Sequence, residues 1–421
     1  MNIYKTVKNN YIVIQNIGYL TIVECIRLVL PFVALPYIIN TIGVEKYGMI
    51  AFAQSTMQYF ILLINFGLDI SAVRDVSIYR NDKAMLNKIV SSVLLIKLIL
   101  FVCSFIILLN GIFFFSYLRE NSLLFFFSFL ICFSEILFPA WFFQGIEKMK
   151  YITLARTFSI VFYTSAIFTF MKSESDYLLV ALFQSLGNVL AGIIAFLLLL
   201  YAEKINFIYP GGKVIKSYFV SSVPFFVSNA ADILNVNIAK TICGIYFKLE
   251  LVAALDLAQR IAQFSIVPAH MLNQAVYPHI AKKQSRSFIR KYLYLNVIVA
   301  AIISLLVFLL APIGVCYFAG DTMPQAIQLL RILSLFVFSA CMTTYLGPVL
   351  ISFGYSSAFN KSILMSTFVL VCCYFFFYSI GAFTVYSFAL ILFITQFSML
   401  IYRLFYCYYY RIIECKSILR L

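Results

Sequence analysis

Charged residues are scarce in this chain of 421 residues: they make up 11% of it, and 16 acids stand against 31 lysines and arginines. Because an ordinary soluble domain carries about 25% charged residues, the composition excludes that class. The sequence has one Trp and two His, and its ten cysteines lack the paired spacing of a metal or redox motif. We therefore expect no metal or other cofactor.

The remaining residues are overwhelmingly apolar, with a mean hydropathy of +0.99. They fall into about twelve runs, each long enough to cross the hydrocarbon core as a helix of about 20 residues. The predicted spans are residues 17–40, 47–68, 87–110, 122–143, 152–171, 177–201, 218–247, 251–278, 292–318, 326–352, 361–382 and 385–407. The sequence thus predicts an all-α integral membrane protein.

The connections between spans alternate in basic content, which predicts their orientation in the membrane. In one set, the connection at residues 282–291 alone carries Lys282, Lys283, Arg286, Arg290 and Lys291. The other set carries Lys46, Arg119, Lys172 and Lys248. The richer set, to which Arg403 is assigned, should lie in the cytoplasm together with both termini.

This distribution also accounts for the formal net charge of +15. A basic chain raises the possibility of nucleic-acid binding, but here the charge lies loop by loop on one face of the membrane. Anionic lipid headgroups are the more economical partner. We expect no nucleic-acid partner.

Two short segments resemble each other: AQSTMQYF at residues 53–60 and AQRIAQF at residues 258–264. They lie early in the second and the eighth predicted span, where a duplication of six spans would place them. Because six is even, the two halves would share one orientation, related by an axis along the membrane normal. The repeat predicts halves at residues 1–210 and 211–421, with a substrate held between them.

Nine ionisable residues fall inside the predicted spans, although a charge at mid-membrane costs about 2.5 to 3.5 kcal/mol on insertion scales. We predict that the basic members face a water-filled cavity and bind an anionic headgroup; they are Arg27, Lys97, Lys240, Arg260 and Arg331. The acidic members are candidates for ion coupling or charge pairing; they are Glu24, Glu135, Asp232 and Asp256.

A structural interpretation of the same residues stays open. Glu24 with Arg27 and Asp256 with Arg260 have spacings of three and four, at which two side chains share one helix face and neutralise each other. Lys97 and Glu135 lie in neighbouring spans and have the right charges to pair across helices. Arg331 is close enough to the end of its span to extend to the interface.

Three segments resemble bacterial polysaccharide transporters. They read ALPYIINTIGVEKYG at residues 34–48, NFGLDISAVRDVS at 65–77 and PAWFFQGIEKMKY at 139–151. The chain is similar to the O-antigen flippases of the Wzx type, within the superfamily that also holds multidrug exporters and lipid II flippases. The resemblance extends over about residues 15–160.

The resemblance implies two six-helix lobes around a central cavity and no enzymatic activity. It implies transport of an undecaprenyl-pyrophosphate-linked oligosaccharide from the cytoplasmic to the periplasmic leaflet of the bacterial inner membrane, with ion-gradient coupling suspected. A polysaccharide polymerase of the same pathway is a candidate partner.

Three other functions compete with this one. A membrane glycan polymerase or ligase generally needs a large extracytoplasmic loop, and the outward connections here are short. A multidrug-type exporter of small cations is disfavoured because intramembrane cations would repel its substrate in a low-dielectric cavity. A purely structural scaffold would have no reason to retain nine intramembrane charges.

Overall fold

The computed structural model describes the backbone of residues 2–413 and the side chains of residues 30, 32–274, 276–277, 280, 282 and 284–413. Every regular element in this described part is helical. The helices of five residues or more are α1 (Asn2–Asn65), α2 (Leu68–Ile78), α3 (Lys83–Phe114), α4 (Ser116–Glu120), α5 (Ser122–Leu137), α6 (Ala140–Gly145), α7 (Met149–Phe170), α8 (Tyr177–Leu197) with a π-helical turn at Leu198–Ala202, α9 (Gly212–Tyr246), α10 (Leu249–Lys283), α11 (Arg286–Ala319), α12 (Pro324–Ser352), α13 (Ser356–Ser379) and α14 (Val385–Tyr409).

A glycine divides the first helix in two. Gly43 has φ 78° and ψ 167°, outside the helical region, and glycine adopts such angles without steric cost. The two parts of α1, with α3, α5 and α7 to α14, make twelve long helical segments in the described chain. Each corresponds to one predicted span, so the prediction of an all-α protein with about twelve membrane helices is confirmed.

Length and composition suit these helices to a bilayer. Ten helices in the described residues are long and apolar enough to cross a membrane; α10, which carries Asp256 and Arg260, is not among them. Large apolar side chains point outward, with Phe113 and Phe375 each 74% exposed. Lipid solvates such surfaces, and a helix satisfies its own backbone hydrogen bonds there.

The chain forms two compact units, Met1–Ala230 and Ala231–Leu421. We call them the first and the second unit. Their border lies within α9, whereas the halves predicted from the repeat meet at residue 210. The first 19 or so residues of α9 therefore pack with the first unit, and the rest of α9 belongs to the second.

Each unit has its own helical core. In the first unit, α8 packs against α5 and α7, and α1 packs against α7. In the second unit, α12 is central and packs against α10, α11 and α14. Burial follows this order: Leu333, Val337 and Leu346 on α12 are at most 1% exposed.

Candidate functional site

A buried lysine organises a polar cluster in the first unit. Lys97, in the middle of α3, has 1% of its side chain exposed. Its Nζ donates to Asn65 Oδ1 at 2.8 Å, to Asp69 Oδ1 at 2.7 Å and to the backbone carbonyl of Glu135 at 3.3 Å. Because an ammonium group has three donors, three acceptors engage it fully. Asn65, Asp69, Lys97 and Glu135 form what we call the first-unit cluster.

A chain reversal brings the members of this cluster together. Helix α1 ends at Asn65, and Phe66 and Gly67 then take positive φ angles of 43° and 70° before α2 begins. Lys97 thus contacts the chain on both sides of the reversal. Asn65 Nδ2 also donates to Glu135 Oε2 at 3.0 Å, which ties α5 into the cluster. With two carboxylates and one ammonium, these four residues carry a formal charge of −1.

The second unit has a cluster in which basic side chains outnumber acidic ones. Asp256 on α10 is 1% exposed and contacts two cations: Arg260 Nε donates to its Oδ2 at 2.6 Å, and Lys240 Nζ from α9 donates to its Oδ1 at 3.1 Å. We call Lys240, Asp256 and Arg260 the second-unit cluster. The pairing of Asp256 with Arg260 follows from their spacing of four within α10. Lys240 contacts Asp256 from the neighbouring helix α9.

Two cations sharing one carboxylate leave these three residues with a formal charge of +1. Arg260 is 34% exposed and Lys240 14% exposed at the side chain, so the cluster is accessible on its cationic side. A guanidinium presents several donors in a fixed plane, and Asp256 fixes that plane through Nε. Chemically, the arrangement suits an oxyanion such as a phosphate.

Sequence reasoning assigned Arg403 to a cytoplasmic connection, and this assignment is wrong. Arg403 lies inside α14 and is 6% exposed. Its Nε donates to Ser362 Oγ on α13 at 3.0 Å and its Nη1 donates to the Thr343 carbonyl on α12 at 2.8 Å. Its Cζ stands 4.6 Å from the ring centroid of Phe359. The tyrosines that follow it near the helix end gave the segment the pattern of an interfacial belt, which concealed the buried position.

The other predicted site residues are dispersed. Asp232 lies on α9, and within the described residues it forms no salt bridge with Lys240, which pairs with Asp256. Arg331 on α12 is exposed, with its Cζ 5.5 Å from the ring centroid of Phe308 on α11. The side chains of Glu24 and Arg27 lie outside the described residues. Within the described residues, no group of three His, Cys, Asp or Glu side chains that could hold a metal ion is present.

The architecture is shared with solved transporters. The lipid II flippase MurJ, in an inward closed conformation, matches with a TM-score of 0.75 at 13% identity, over 94% of this chain and 87% of that protein. An inward-facing multidrug resistance MATE family transporter of the MOP superfamily matches with a TM-score of 0.70 at 16% identity, over 92% of this chain and 98% of its own. The chain therefore has the fold of these two solved transporters.

The sequence defines the family within that fold. Residues 13–284 match the family model described as "Polysaccharide biosynthesis protein", and the chain belongs to this family. The resemblance seen at residues 34–48, 65–77 and 139–151 is thereby confirmed.

Two relatives, both named "Putative O-antigen transporter", cover most of the chain. The protein from Escherichia coli (strain K12) is 24% identical over 357 residues, covering 83% of this chain and 86% of that protein. The protein from Shigella dysenteriae is 31% identical over 291 residues, covering 66% of this chain and 69% of its own.

Proposed function

We propose that this protein is a flippase, not an enzyme. In this proposal it moves an undecaprenyl-pyrophosphate-linked oligosaccharide from the cytoplasmic to the periplasmic leaflet of the bacterial inner membrane. It works by alternating access and draws on an ion gradient. The names of its relatives and its membership of a polysaccharide biosynthesis family support the substrate class.

The second-unit cluster carries the proposal. A lipid pyrophosphate brings two phosphates into a region where water is scarce, so a transporter must offer cations there. Lys240 and Arg260 do so from two helices and are held in place by Asp256. A carrier of small cations has no use for such a group, because like charges repel strongly at low dielectric constant.

The remaining charges take secondary roles in this scheme. Lys97 is engaged by three acceptors, so we assign it to fastening α3 to α1, α2 and α5. Arg27 and Arg331 stay candidates for further steps along the substrate path. Glu24, Glu135 and Asp232 are the candidates for binding the coupling ion. Anionic lipids and a polysaccharide polymerase of the same pathway are the proposed partners.

We further propose that both termini face the cytoplasm. Removing Arg403 from the basic connections leaves their asymmetry intact. Reporter fusions after Lys150, Lys213 and Arg286 should then report cytoplasm, and fusions after Arg119, Lys172 and Lys248 should report periplasm. A reversed reading at any of these sites would contradict the orientation.

Deletion of the gene tests the function. We expect surface glycan to be lost and the complete lipid-linked oligosaccharide to accumulate in the cytoplasmic leaflet, where periplasmic enzymes do not reach it. A plasmid copy should restore the glycan. Accumulation of single repeat units on the periplasmic side would instead indicate the polymerase or ligase.

A further inference from the structure

The first part of α9 is attached to the first unit by a small set of contacts. The ring of Phe66 lies between two rings of α9, with centroid distances of 4.3 Å to Phe219 and 4.5 Å to Phe226 and near-parallel planes. Beside it, Ser71 Oγ and Ser222 Oγ are 3.0 Å apart and both are buried. We call Phe66, Ser71, Phe219, Ser222 and Phe226 the clasp.

Gly67 makes this close approach possible. A Cβ built on Gly67 would lie 2.6 Å from the backbone nitrogen of Phe226 and 2.7 Å from Phe225 Cβ. The residue also has a φ of 70°, which favours glycine. Because Gly67 has no Cβ and adopts this positive φ, the backbone of the α1–α2 reversal can contact the backbone of α9 directly.

The attachment is narrow. Ser222 is the one buried residue in the described range 211–230, and Val220 and Val227 are 57% and 45% exposed. Pro224 lies in the middle of the docked stretch. Because proline has no N–H, the helix loses one backbone hydrogen bond there and bends at low cost. This part of α9 has few buried contacts and lacks one backbone hydrogen bond, so it is suited to separating from the first unit.

The position of the clasp in the chain gives it a role. Arg74 and Arg80 follow it on one side, and Lys213 and Lys216 precede it on the other, all in the basic set of connections. In the same helix, the clasp lies before Lys240 of the second-unit cluster. Undocking at the clasp would therefore displace the cytoplasmic part of the helix that carries a substrate-binding cation.

We infer that the clasp is a cytoplasmic gate: the first part of α9 leaves the α1–α2 reversal to admit the lipid-linked substrate and docks again before release. The inference rests on the proposed function and adds the mechanical element that controls entry. When a gate of this kind closes, it excludes water from the site and prevents the bound substrate from leaving by the way it entered.

A reversible cross-link tests the gate. Hydroxyl oxygens 3.0 Å apart place two cysteine sulfurs within reach of a disulfide, so the test variant is Ser71→Cys with Ser222→Cys. The reducing cytosol keeps this pair reduced in cells, where the variant should restore glycan to the deletion strain. That result establishes the folding and the function of the variant before any cross-link is made.

Inverted membrane vesicles that contain the lipid-linked oligosaccharide then receive a short thiol-cleavable bifunctional methanethiosulfonate. We expect cross-linking of the double variant to stop translocation and reductant to restore it, while either single variant stays active. The matched control, Asn235→Cys with Ser366→Cys, bridges a contact of 3.0 Å between the later part of α9 and α13. It should cross-link without loss of transport.

Three outcomes would overturn the gate: failure of the clasp pair to cross-link, undiminished transport by the cross-linked pair, or equal loss in the control pair. Failure of the wild-type gene to restore glycan to the deletion strain would instead contradict the proposed function. The two failures are therefore distinguishable.

Discussion

The first-unit and second-unit clusters contain acidic and basic side chains in opposite proportion. In the first unit, the Lys97 ammonium contacts one carboxylate, one amide oxygen and one backbone carbonyl, a second carboxylate accepts from Asn65, and Lys97 is 1% exposed. In the second unit, one carboxylate meets two cations, and here it is the acid, Asp256, that is 1% exposed. The buried partner is the minority charge in both cases, and the majority charges are the more exposed.

This difference separates fastening from binding. A buried charge surrounded by partners holds helices together but has no donors left for a ligand. Cations arranged around a buried acid keep a positive charge on the accessible side. On this basis we propose that the second-unit cluster binds the anion and that Lys97 fastens helices.

The largest expected effect comes from Lys97→Met. The substitution removes the three hydrogen bonds from Lys97 Nζ to Asn65, Asp69 and the Glu135 carbonyl, and a hydrogen bond to a charged group contributes about 1.5 to 3 kcal/mol. We expect a strong fall in folded protein, measured by thermal unfolding in detergent. Lys172→Met is the matched control, because it removes the ammonium group of an exposed lysine. Equal loss in both variants would contradict the fastening role.

The double variant Asp256→Ala with Arg260→Ala comes next. For a purely structural pair, removal of both partners should rescue what either single change loses. In the structure, Lys240 also depends on Asp256, so the double variant leaves Lys240 without its acid and the cluster without Arg260. We expect inserted protein that transports no glycan. Restored glycan export would assign the pair to structure alone.

Arg260→Lys should have an intermediate effect. Lysine keeps the charge but loses the planar group that Asp256 fixes through Nε. The loss of one hydrogen bond to a charged group, about 1.5 kcal/mol, weakens substrate affinity by about tenfold. A titration of transport rate against substrate checks this value. Unchanged affinity would show that only the charge matters at this position.

The smallest effect is expected for Arg331→Gln. Arg331 is exposed, and its guanidinium lies over the Phe308 ring, a cation–π interaction worth about 0.5 to 1 kcal/mol at such a site. The unfolding temperature should barely change, and glycan export should decrease less than for Arg260→Lys. Complete loss of export would contradict this minor role and would indicate that Arg331 binds the substrate directly.

Some of this arrangement was predictable from sequence and some was not. The spans follow from the length of the apolar runs, and the contact of Asp256 with Arg260 follows from their spacing within one helix. Contacts between helices depend on packing angles that no spacing encodes. The sequence therefore did not reveal that Lys240 reaches Asp256 or that Asn65 and Asp69 reach Lys97.

Opposite charges in neighbouring spans predict a pair between the side chains of Lys97 and Glu135, but Lys97 contacts the Glu135 backbone carbonyl at 3.3 Å. The Glu135 carboxylate instead accepts from Asn65. A neutral residue at a helix end gives no charge signal, so the sequence does not indicate a role for Asn65. Arg403 was misplaced for a related reason: basic residues near a helix end are usually interfacial, and its partners Ser362 and Thr343 carry no charge either.

Direct measurement of lipid pyrophosphate binding tests the assignment of anion binding to the second unit. The variant Lys240→Gln with Asp256→Asn and Arg260→Gln removes both cations without stranding the acid, and Lys172→Gln, between α7 and α8, is the charge control. For purified protein and undecaprenyl pyrophosphate, loss of two charged contacts at about 1.5 kcal/mol each weakens binding by about 100-fold. We expect that result for the triple variant and unchanged affinity for Lys172→Gln. Wild-type affinity in a triple variant with normal unfolding temperature would contradict the account.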